Sequence, residues 1–206
     1  MKRNLLLCLA VLLFGSTIYS QDWDIDLLKK INGSYTEQGG KPMKFVTESI
    51  TPVAIGAPLT LFCAALIKKD KKLAYDGLTL VSAELVNSIL TTTMKLNIKR
   101  ERPFSAYPND ITKHTSGGSY SFPSGHTSLA FTVATSLSLT YPKWYVILPS
   151  YAWASSIAYS RMYLGVHYPT DVLMGATVGT VSSMLTHYGR KYLVERKKKR
   201  DLSLAW

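Results

Sequence analysis

One histidine and one aspartate stand at a spacing that suits a nucleophilic imidazole. His167 and Asp171 are four positions apart, and Pro169 between them favours the first turn of a helix. At this spacing the carboxylate can accept a hydrogen bond from the imidazole Nδ1–H. The other nitrogen, Nε2, is then left basic and nucleophilic, as in a catalytic triad. The alternative is that Asp171 only complements the dipole of the helix N-terminus.

A second histidine follows residues that are typical of an anion-binding helix N-terminus. Ser124 is a favourable N-cap, and Gly125 lets a ligand approach the backbone closely. The free N–H groups and the positive end of the helix dipole would bind a phosphate there. His126 would lie in the first turn, where it can deliver a proton to a neighbouring ligand. The alternative is an ordinary capped helix with an incidental histidine.

Three cations complete the set of residues that suit phosphate. Lys95 and Arg102 are seven positions apart, so two helical turns would place them on one face, and Pro103 would end that helix. Arg161 supplies a second guanidinium near His167 in the sequence. Arginine binds phosphate in a bidentate manner and lysine as a point charge. The alternative is a solvated basic helix end, and two further basic residues there have no evident role, Lys99 and Arg100.

The elements that carry these residues are long apolar stretches. Hydrophobic residues make up 47% of the 206 residues and charged residues only 18%, against roughly 25% in soluble domains. Five stretches with few or no charged residues are each near the length that crosses a bilayer: residues 49–67, 73–94, 123–142, 144–160 and 172–189. We therefore predict an all-α, polytopic membrane helical bundle with about five transmembrane helices.

The N-terminus has the layout of a secretory signal peptide. A basic start, an apolar run and small polar residues predict a signal peptide over residues 1–20, which would be a further transmembrane helix if retained. Residues 21–48 would then be an extracytoplasmic amphipathic segment, either in the membrane interface or packed on the bundle. Residues 49–190 form the predicted transmembrane domain, and residues 191–206 a basic cytoplasmic tail.

The distribution of charge predicts the orientation. The chain has 24 Lys and Arg against 13 Asp and Glu, for a net charge of +11. Basic residues at 68–72, Lys143 and 196–200 fall on one side of the predicted bundle, together with the basic start. The positive-inside rule makes that side cytoplasmic, so the motifs face the periplasm or the cell exterior. The excess charge thus indicates a multi-pass protein of a bacterial-type inner membrane and needs no nucleic-acid partner.

Metal ions, disulfides and cofactors are not predicted. Two cysteines exclude a disulfide scaffold and a four-cysteine zinc site. The four histidines lack the close spacing of metal ligands: they are His114, His126, His167 and His187.

The motifs, taken together, point to one family. The patterns K-x6-R-P, P-S-G-H and S-R-x5-H-x3-D occur in this order between apolar stretches. This arrangement closely resembles the type 2 phosphatidic acid phosphatase superfamily, over roughly residues 45–190. The resemblance implies an all-helical fold with its active site at the helix ends. It also implies a metal-independent phosphatase that acts through a phosphohistidine.

The resemblance assigns a role to each motif residue. His167 would attack phosphorus with Asp171 orienting it, while His126 would protonate the leaving oxygen and later activate water. The remaining motif residues would bind the phosphate: Lys95, Arg102, Ser124, Gly125 and Arg161. These groups supply the charge stabilisation on which phosphoryl transfer mainly depends.

The predicted position of the site suggests a lipid substrate. A site facing outward at headgroup level suits a lipid phosphate whose tail stays in the bilayer. We favour undecaprenyl diphosphate, because recycling of a polyprenyl carrier needs an outward-facing phosphatase. Phosphatidylglycerol phosphate, phosphatidate and phosphorylated lipid A are the alternatives.

Other activities are also open at this point. Vanadium-dependent haloperoxidases share these motifs, and soluble periplasmic acid phosphatases are related to them. From another class, a non-catalytic transport or scaffold protein would account for Asp76 and Glu84, two acids in a predicted span. The oligomeric state and the roles of Asp76, Glu84 and His114 are open.

Overall fold

The computed structural model describes residues 21–203, and this part of the chain is all-helical, as predicted. Its helices are α1 Gln21–Gly33, α2 Glu37–Glu48, α3 Ile50–Lys68, α4 Lys71–Ile98, α5 Pro103–Ala106, α6 Gly125–Thr140, α7 Trp144–Tyr163 and α8 Pro169–Ser203. Five of them, α3, α4, α6, α7 and α8, coincide with the five apolar stretches. The predicted signal peptide lies outside the described residues. The predicted basic tail continues α8 as far as Ser203.

Helix α6 lies at the centre and packs against α4, α7 and most extensively α8. Two glycines of α8 allow this close approach. A Cβ on Gly175 would lie 2.7 Å from the Ser124 carbonyl oxygen, and one on Gly179 would lie 2.1 Å from that of Ser128. Small residues at such positions let helix backbones meet and pack tightly. The contact also holds the beginnings of α6 and α8, which carry His126 and Asp171, beside each other.

The bundle buries polar groups together with its apolar core, and it exposes many large apolar side chains. Many buried residues of α6 carry hydroxyl groups, including Ser128, Thr132, Thr135 and Ser136. By contrast, large hydrophobic residues of the outer helices are more than half exposed, among them Ile55, Leu59, Leu85, Ile89 and Leu173. A soluble bundle would place such side chains inside. This distribution is that of a protein whose surroundings are apolar.

Hydropathy alone selects fewer helices than the predicted number of spans. Within residues 21–203, one helical stretch, Glu37–Lys68, is long and apolar enough to cross a membrane by length and composition. Helix α6 has only 16 residues, and the other helices carry charged, hydroxyl-bearing or glycine residues that lower their mean hydropathy. The number of spans therefore stays a prediction.

The helix that carries Lys95 ends earlier than predicted. We expected it to continue to Arg102, but α4 ends at Ile98, and Lys99 takes a left-handed conformation with its N–H bonded to the Lys95 carbonyl. Arg102 is extended, as is usual for a residue before proline. The shared-face prediction for Lys95 and Arg102 was therefore wrong, and a different element brings them together.

The predicted amphipathic segment 21–48 forms two helices, α1 and α2. Ile25 and Leu28 of α1 are buried in a cluster with Ile111 and Tyr168, so α1 packs on the bundle. Trp23 of the same helix is 44% exposed. Helix α1 therefore contacts the bundle with one side and presents an aromatic side chain on another.

Candidate active site

His167 and Asp171 form a buried pair at the start of α8. The His167 Nδ1 lies 3.3 Å from the Asp171 Oδ2, and both side chains are almost completely buried. The same oxygen accepts a hydrogen bond from the Tyr168 backbone N–H at 2.9 Å and one from the Ser121 hydroxyl. These donors fix the carboxylate, and the carboxylate in turn fixes the plane of the imidazole. Ser121 carried no signal in the sequence, because its role depends on how the loop before α6 folds.

The second nitrogen of His167 faces a guanidinium. Arg102 Nη1 lies 3.2 Å from Nε2 and donates to the Val166 carbonyl at 2.7 Å. Arginine only donates, so Nε2 is the acceptor and the proton lies on Nδ1. Burial lowers the pKa of His167 to about 3, although the hydrogen bond to Asp171 acts in the opposite direction. The imidazole is therefore neutral near pH 7, with its lone pair on Nε2.

The loop before α6 brings the cations together through its carbonyl groups. Lys95 Nζ donates to the Tyr120 carbonyl at 2.6 Å, and Arg102 Nε donates to those of Ser119 at 2.8 Å and Gly118 at 3.1 Å. Burial, assisted by the charge of Arg102, lowers the pKa of Lys95 to about 8. We predicted that Lys95 and Arg102 meet on one helix face, but it is this loop that brings them together.

Arg161 is the most deeply buried of the three cations, at 2% exposure. Its Nη1 donates to the Thr47 hydroxyl at 2.8 Å and its Nη2 to the Ser116 carbonyl at 3.3 Å, while its Nε is buried without a hydrogen-bond partner. Burial, assisted by the charge of Arg102, lowers the pKa of Arg161 to about 10. Its anchor on α2 was not evident in the sequence, since Thr47 lies 114 positions away.

Positive charge is in excess at this site. Within the described residues, Lys95, Arg102 and Arg161 form no ion pair with a carboxylate. Burying cations without a counter-charge is costly, and each lowered pKa reflects that cost. A bound anion would remove it.

The start of α6 adds the donors that were predicted. Ser124 is the N-cap and accepts from the Thr127 N–H, while its own N–H donates to the Asp171 carbonyl at 2.9 Å. A Cβ on Gly125 would meet nothing within 4 Å, so the backbone is open to a ligand. His126 is half-buried in the first turn, within the electrostatic reach of all three cations.

One residue that contacts the His167–Asp171 pair was not predicted from the sequence. Arg100, which had no evident role, donates to the Asp171 Oδ1 at 2.8 Å and to the Asp24 Oδ2 at 2.7 Å, and lies 3.7 Å from the centre of the Tyr168 ring. Asp24 also accepts from the Thr170 N–H at 2.9 Å. Helix α1 is thereby tied to the carboxylate that orients His167. The partners lie 76 and 146 positions from Asp24, so no local pattern reveals them.

Comparison with known proteins agrees with the geometry. A family model described as the PAP2 superfamily matches residues 76–195. The chain belongs to the PAP2 superfamily. This confirms the predicted family, and with it the assignment as a phosphatase.

Individual relatives match much of the PAP2 chain. The undecaprenyl-diphosphatase of Sulfolobus acidocaldarius is 30% identical over 167 residues, which are 80% of this chain and 77% of the relative. The lipid A 4'-phosphatase of Bacteroides thetaiotaomicron is 35% identical over 72 residues, 35% of this chain and 32% of the relative. The crystal structure of Aquifex aeolicus LpxE superposes with a TM-score of 0.72 at 25% identity, covering 84% of this chain and 99% of LpxE.

The residues whose roles were open lie outside the catalytic cluster of this PAP2 protein. His114 stacks on Tyr35, with ring centres 3.4 Å apart. Asp76 is buried and bonded to Lys72 at 2.8 Å and Arg190 at 2.9 Å. One oxygen of Glu84 is buried without a hydrogen-bond partner in the described chain. Within residues 21–203, no three His, Cys, Asp or Glu residues are grouped so that they could hold a metal ion.

Proposed function

We propose that this PAP2 phosphatase hydrolyses a lipid phosphate or diphosphate at the outer face of the membrane, without a metal ion, through a phosphohistidine. The observation that carries the proposal is the buried, neutral His167, whose Nε2 lies beside cations that have no carboxylate partner. A neutral imidazole is a nucleophile, and the unpaired cations would stabilise a phosphoryl group next to it.

In the first step, His167 Nε2 attacks phosphorus and the bond from phosphorus to the leaving lipid oxygen breaks. His126 carries a proton in this step and gives it to that oxygen. Burial and the charges of Arg161, Arg102 and Lys95 lower the pKa of His126 to about 4, and the negative charge of the bound phosphate would raise it. Lys95, Arg102 and Arg161 balance the charge on the three other oxygens, with help from the Ser124 hydroxyl and the Gly125 backbone N–H. Asp171 stabilises the positive charge that develops on the imidazole.

In the second step, the neutral His126 takes a proton from water, and the resulting oxygen attacks phosphorus. The bond from Nε2 to phosphorus breaks, inorganic phosphate leaves, and His167 returns to its neutral form with the proton on Nδ1. The same pair of histidines therefore acts in both displacements, each in two roles.

The exposure pattern supports a location in the membrane. Exposed leucine and isoleucine side chains surround α3, α4 and α8, while the interior holds hydroxyl groups and ions. Together with the positive-inside distribution, this favours about five transmembrane helices in the bacterial inner membrane. The catalytic end would then face the periplasm or cell exterior.

Undecaprenyl diphosphate is the favoured substrate. The relative from Sulfolobus acidocaldarius, an undecaprenyl-diphosphatase, is matched over most of both chains. The favoured alternative is a lipid A phosphate, because a lipid A 4'-phosphatase is matched at 35% identity over a shorter stretch. Phosphatidylglycerol phosphate and phosphatidate complete the set to be compared.

The experiment is phosphate release from these lipids by the purified protein, with and without EDTA. We expect the diphosphate to react fastest, EDTA to have no effect, and His167→Ala to be inactive although folded. Loss of activity with EDTA would contradict the metal-free scheme, and full activity of His167→Ala would contradict the nucleophile. Absence of phosphate release from all of these lipids by the folded, unaltered chain would favour a transport or scaffold role.

The covalent intermediate can be trapped separately. His126→Ala incubated with the lipid diphosphate, labelled with phosphorus-32 in its terminal phosphate, should accumulate acid-labile, base-stable label on the protein. The leaving group is then a phosphate oxygen, which departs with little need of a proton, so the loss of water activation is the main effect of the variant. The double variant His126→Ala/His167→Ala should not. Equal labelling of both variants would place the phosphoryl group elsewhere.

A further inference from the structure

One large cavity in the described chain lies far from the phosphatase site. It has a volume of about 960 Å³ and lies between the beginning of α4 and the end of α8. Leu185, the first residue of α8 to line it, is 16 positions beyond Pro169, where α8 begins next to the catalytic pair. At 1.5 Å per residue this is roughly 24 Å from the catalytic end. The groove therefore cannot be part of the active site.

The groove has cations at one end only and mainly apolar side chains elsewhere. Its outer end, at the start of α4, is lined by four cations, Lys71, Lys72, Arg190 and Lys197, together with the apolar side chains of Tyr75, Leu193 and Val194. Towards the middle of the bundle it is lined by Leu78 and Ser82 of α4 and by Leu185 of α8. From Lys72 to Ser82 along α4 is roughly 15 Å at the helical rise. The change from cationic to apolar lining thus follows the direction from headgroups to acyl chains.

A buried carboxylate holds two of the cations in place. Asp76 accepts from Lys72 and Arg190, and from the Tyr141 hydroxyl at 3.3 Å. Arg190 also donates to the Thr79 hydroxyl at 3.0 Å. One carboxylate against four cations leaves the outer end of the groove positively charged. The arrangement gives Asp76 a role, since it joins the two walls of the groove.

We propose that this groove binds one anionic phospholipid of the inner leaflet. Its phosphate would lie among the cations, and an acyl chain would follow the apolar walls past Leu78 and Leu185. Basic pockets between transmembrane helices on the cytoplasmic side suit anionic headgroups. A zwitterionic lipid carries its own cation and would bind less tightly. The leaflet rests on the proposed membrane orientation.

The test is lipid retention by the full chain, measured by native mass spectrometry in detergent. The probes are phosphatidylglycerol and phosphatidylcholine with identical acyl chains, neither of which is a phosphate monoester. We expect one phosphatidylglycerol retained per chain and at least about fivefold less phosphatidylcholine. Each cation near the headgroup contributes roughly fivefold to affinity, so Lys71→Gln/Lys197→Gln should weaken phosphatidylglycerol binding more than tenfold.

The matched control is Lys68→Gln/Lys143→Gln, which removes the same charge from exposed positions outside the groove. It should bind phosphatidylglycerol like the unaltered chain. A third variant, Ser82→Trp, fills the apolar end at an exposed position and should also displace the lipid. All these variants should keep normal phosphate release, which reports correct folding.

Three results would overturn the inference: equal retention of both lipids, equal loss in the groove variant and its control, or equal binding of glycerophosphoglycerol, which is the phosphatidylglycerol headgroup without acyl chains. Selective retention of phosphatidylglycerol by a protein that releases no phosphate would leave the inference standing and contradict the proposed function instead.

Discussion

The two ring nitrogens of His167 have different partners, and this difference defines its chemistry. Asp171 takes the Nδ1 side, whereas Arg102 takes Nε2. The carboxylate is itself held by Ser121, Tyr168 and Arg100. Replacing one carboxylate oxygen of Asp171 by an amide nitrogen would therefore place an N–H donor opposite other donors. His167 would then no longer be held with its proton on Nδ1.

We expect Asp171→Asn to lower kcat by about 10³–10⁴-fold, the range that the loss of a tautomer-fixing carboxylate produces. The measurement is kcat for phosphate release. Asp26→Asn, an exposed change of the same kind on α1, should keep full activity. A loss below tenfold in Asp171→Asn would show that the carboxylate does not orient the nucleophile.

Lys95 should determine the alkaline limb of the pH profile. Its pKa is lowered to about 8 by burial and by Arg102, and it must carry its proton to bind phosphate. The charge is present below this pKa and is lost as the pH rises through it, so kcat/KM should fall above pH about 8. His167 stays neutral down to a pH of about 3, so it should produce no acid limb of the profile near the ordinary pKa of histidine.

The variant Lys95→Arg tests this assignment, because arginine keeps its charge at alkaline pH. The alkaline limb of kcat/KM should move to higher pH, even if the maximal rate falls. Thermal unfolding of both proteins at the alkaline end controls for loss of structure. An unchanged limb in Lys95→Arg would assign the titration to another group.

At the scale of elements, the closest contact is between α6 and α8. A methyl group on Gly179 would lie 2.1 Å from a backbone carbonyl of α6, which cannot move aside as a flexible side chain can. Gly179→Ala should therefore destabilise the bundle by about 3 kcal/mol, the upper range for overpacking. Gly56→Ala, where nothing lies within 4 Å, is the matched control and should leave the unfolding temperature unchanged or slightly higher. The measurement is thermal unfolding in detergent, and equal behaviour of the two variants would contradict this packing.

Helix α1 should influence the rate through Arg100. Asp24→Asn removes the charge that holds Arg100 against Asp171, so we expect kcat to fall roughly tenfold, a scale known for hydrogen-bonded supports of functional side chains. KM and the unfolding temperature should change little, because Asp24 does not reach the phosphate. Arg100→Lys, which cannot contact both carboxylates through separate nitrogens as Arg100 does, should give a similar fall. An effect on stability alone would assign Asp24 a structural role.

The helices and the local motifs could be predicted from the sequence, because both depend on residues that are close together in the chain. Helix periodicity, N-caps such as Ser124 and the four-residue spacing of His167 and Asp171 are local, so their geometry follows from a few neighbouring residues. The end of α4 at Ile98 was not predictable, because the left-handed Lys99 has no glycine to mark it. Contacts such as Arg161 with Thr47 depend on how distant helices pack and leave no local pattern.

At the scale of the whole molecule, the distribution of basic residues predicts the orientation in the membrane. Introduced cysteines test it in a background with Cys8→Ser and Cys63→Ser. Gly118→Cys, with open space around its Cβ in the loop near the cations, should react with a membrane-impermeant maleimide in intact cells. Lys143→Cys, in the exposed turn before α7, should react only after permeabilisation. The opposite labelling pattern would reverse the orientation and move the catalytic end to the cytoplasm.

The contacts between α1 and the catalytic carboxylate have a practical consequence for the design of shortened versions of this protein. The family match begins at residue 76, so a recombinant fragment cut at that boundary would keep every motif residue. It would nevertheless lose Asp24, which holds Arg100, and Thr47, which holds Arg161. Such a fragment would contain all the motifs of the family and still be a poor enzyme, because residues that hold the catalytic side chains in place lie before the start of the family match.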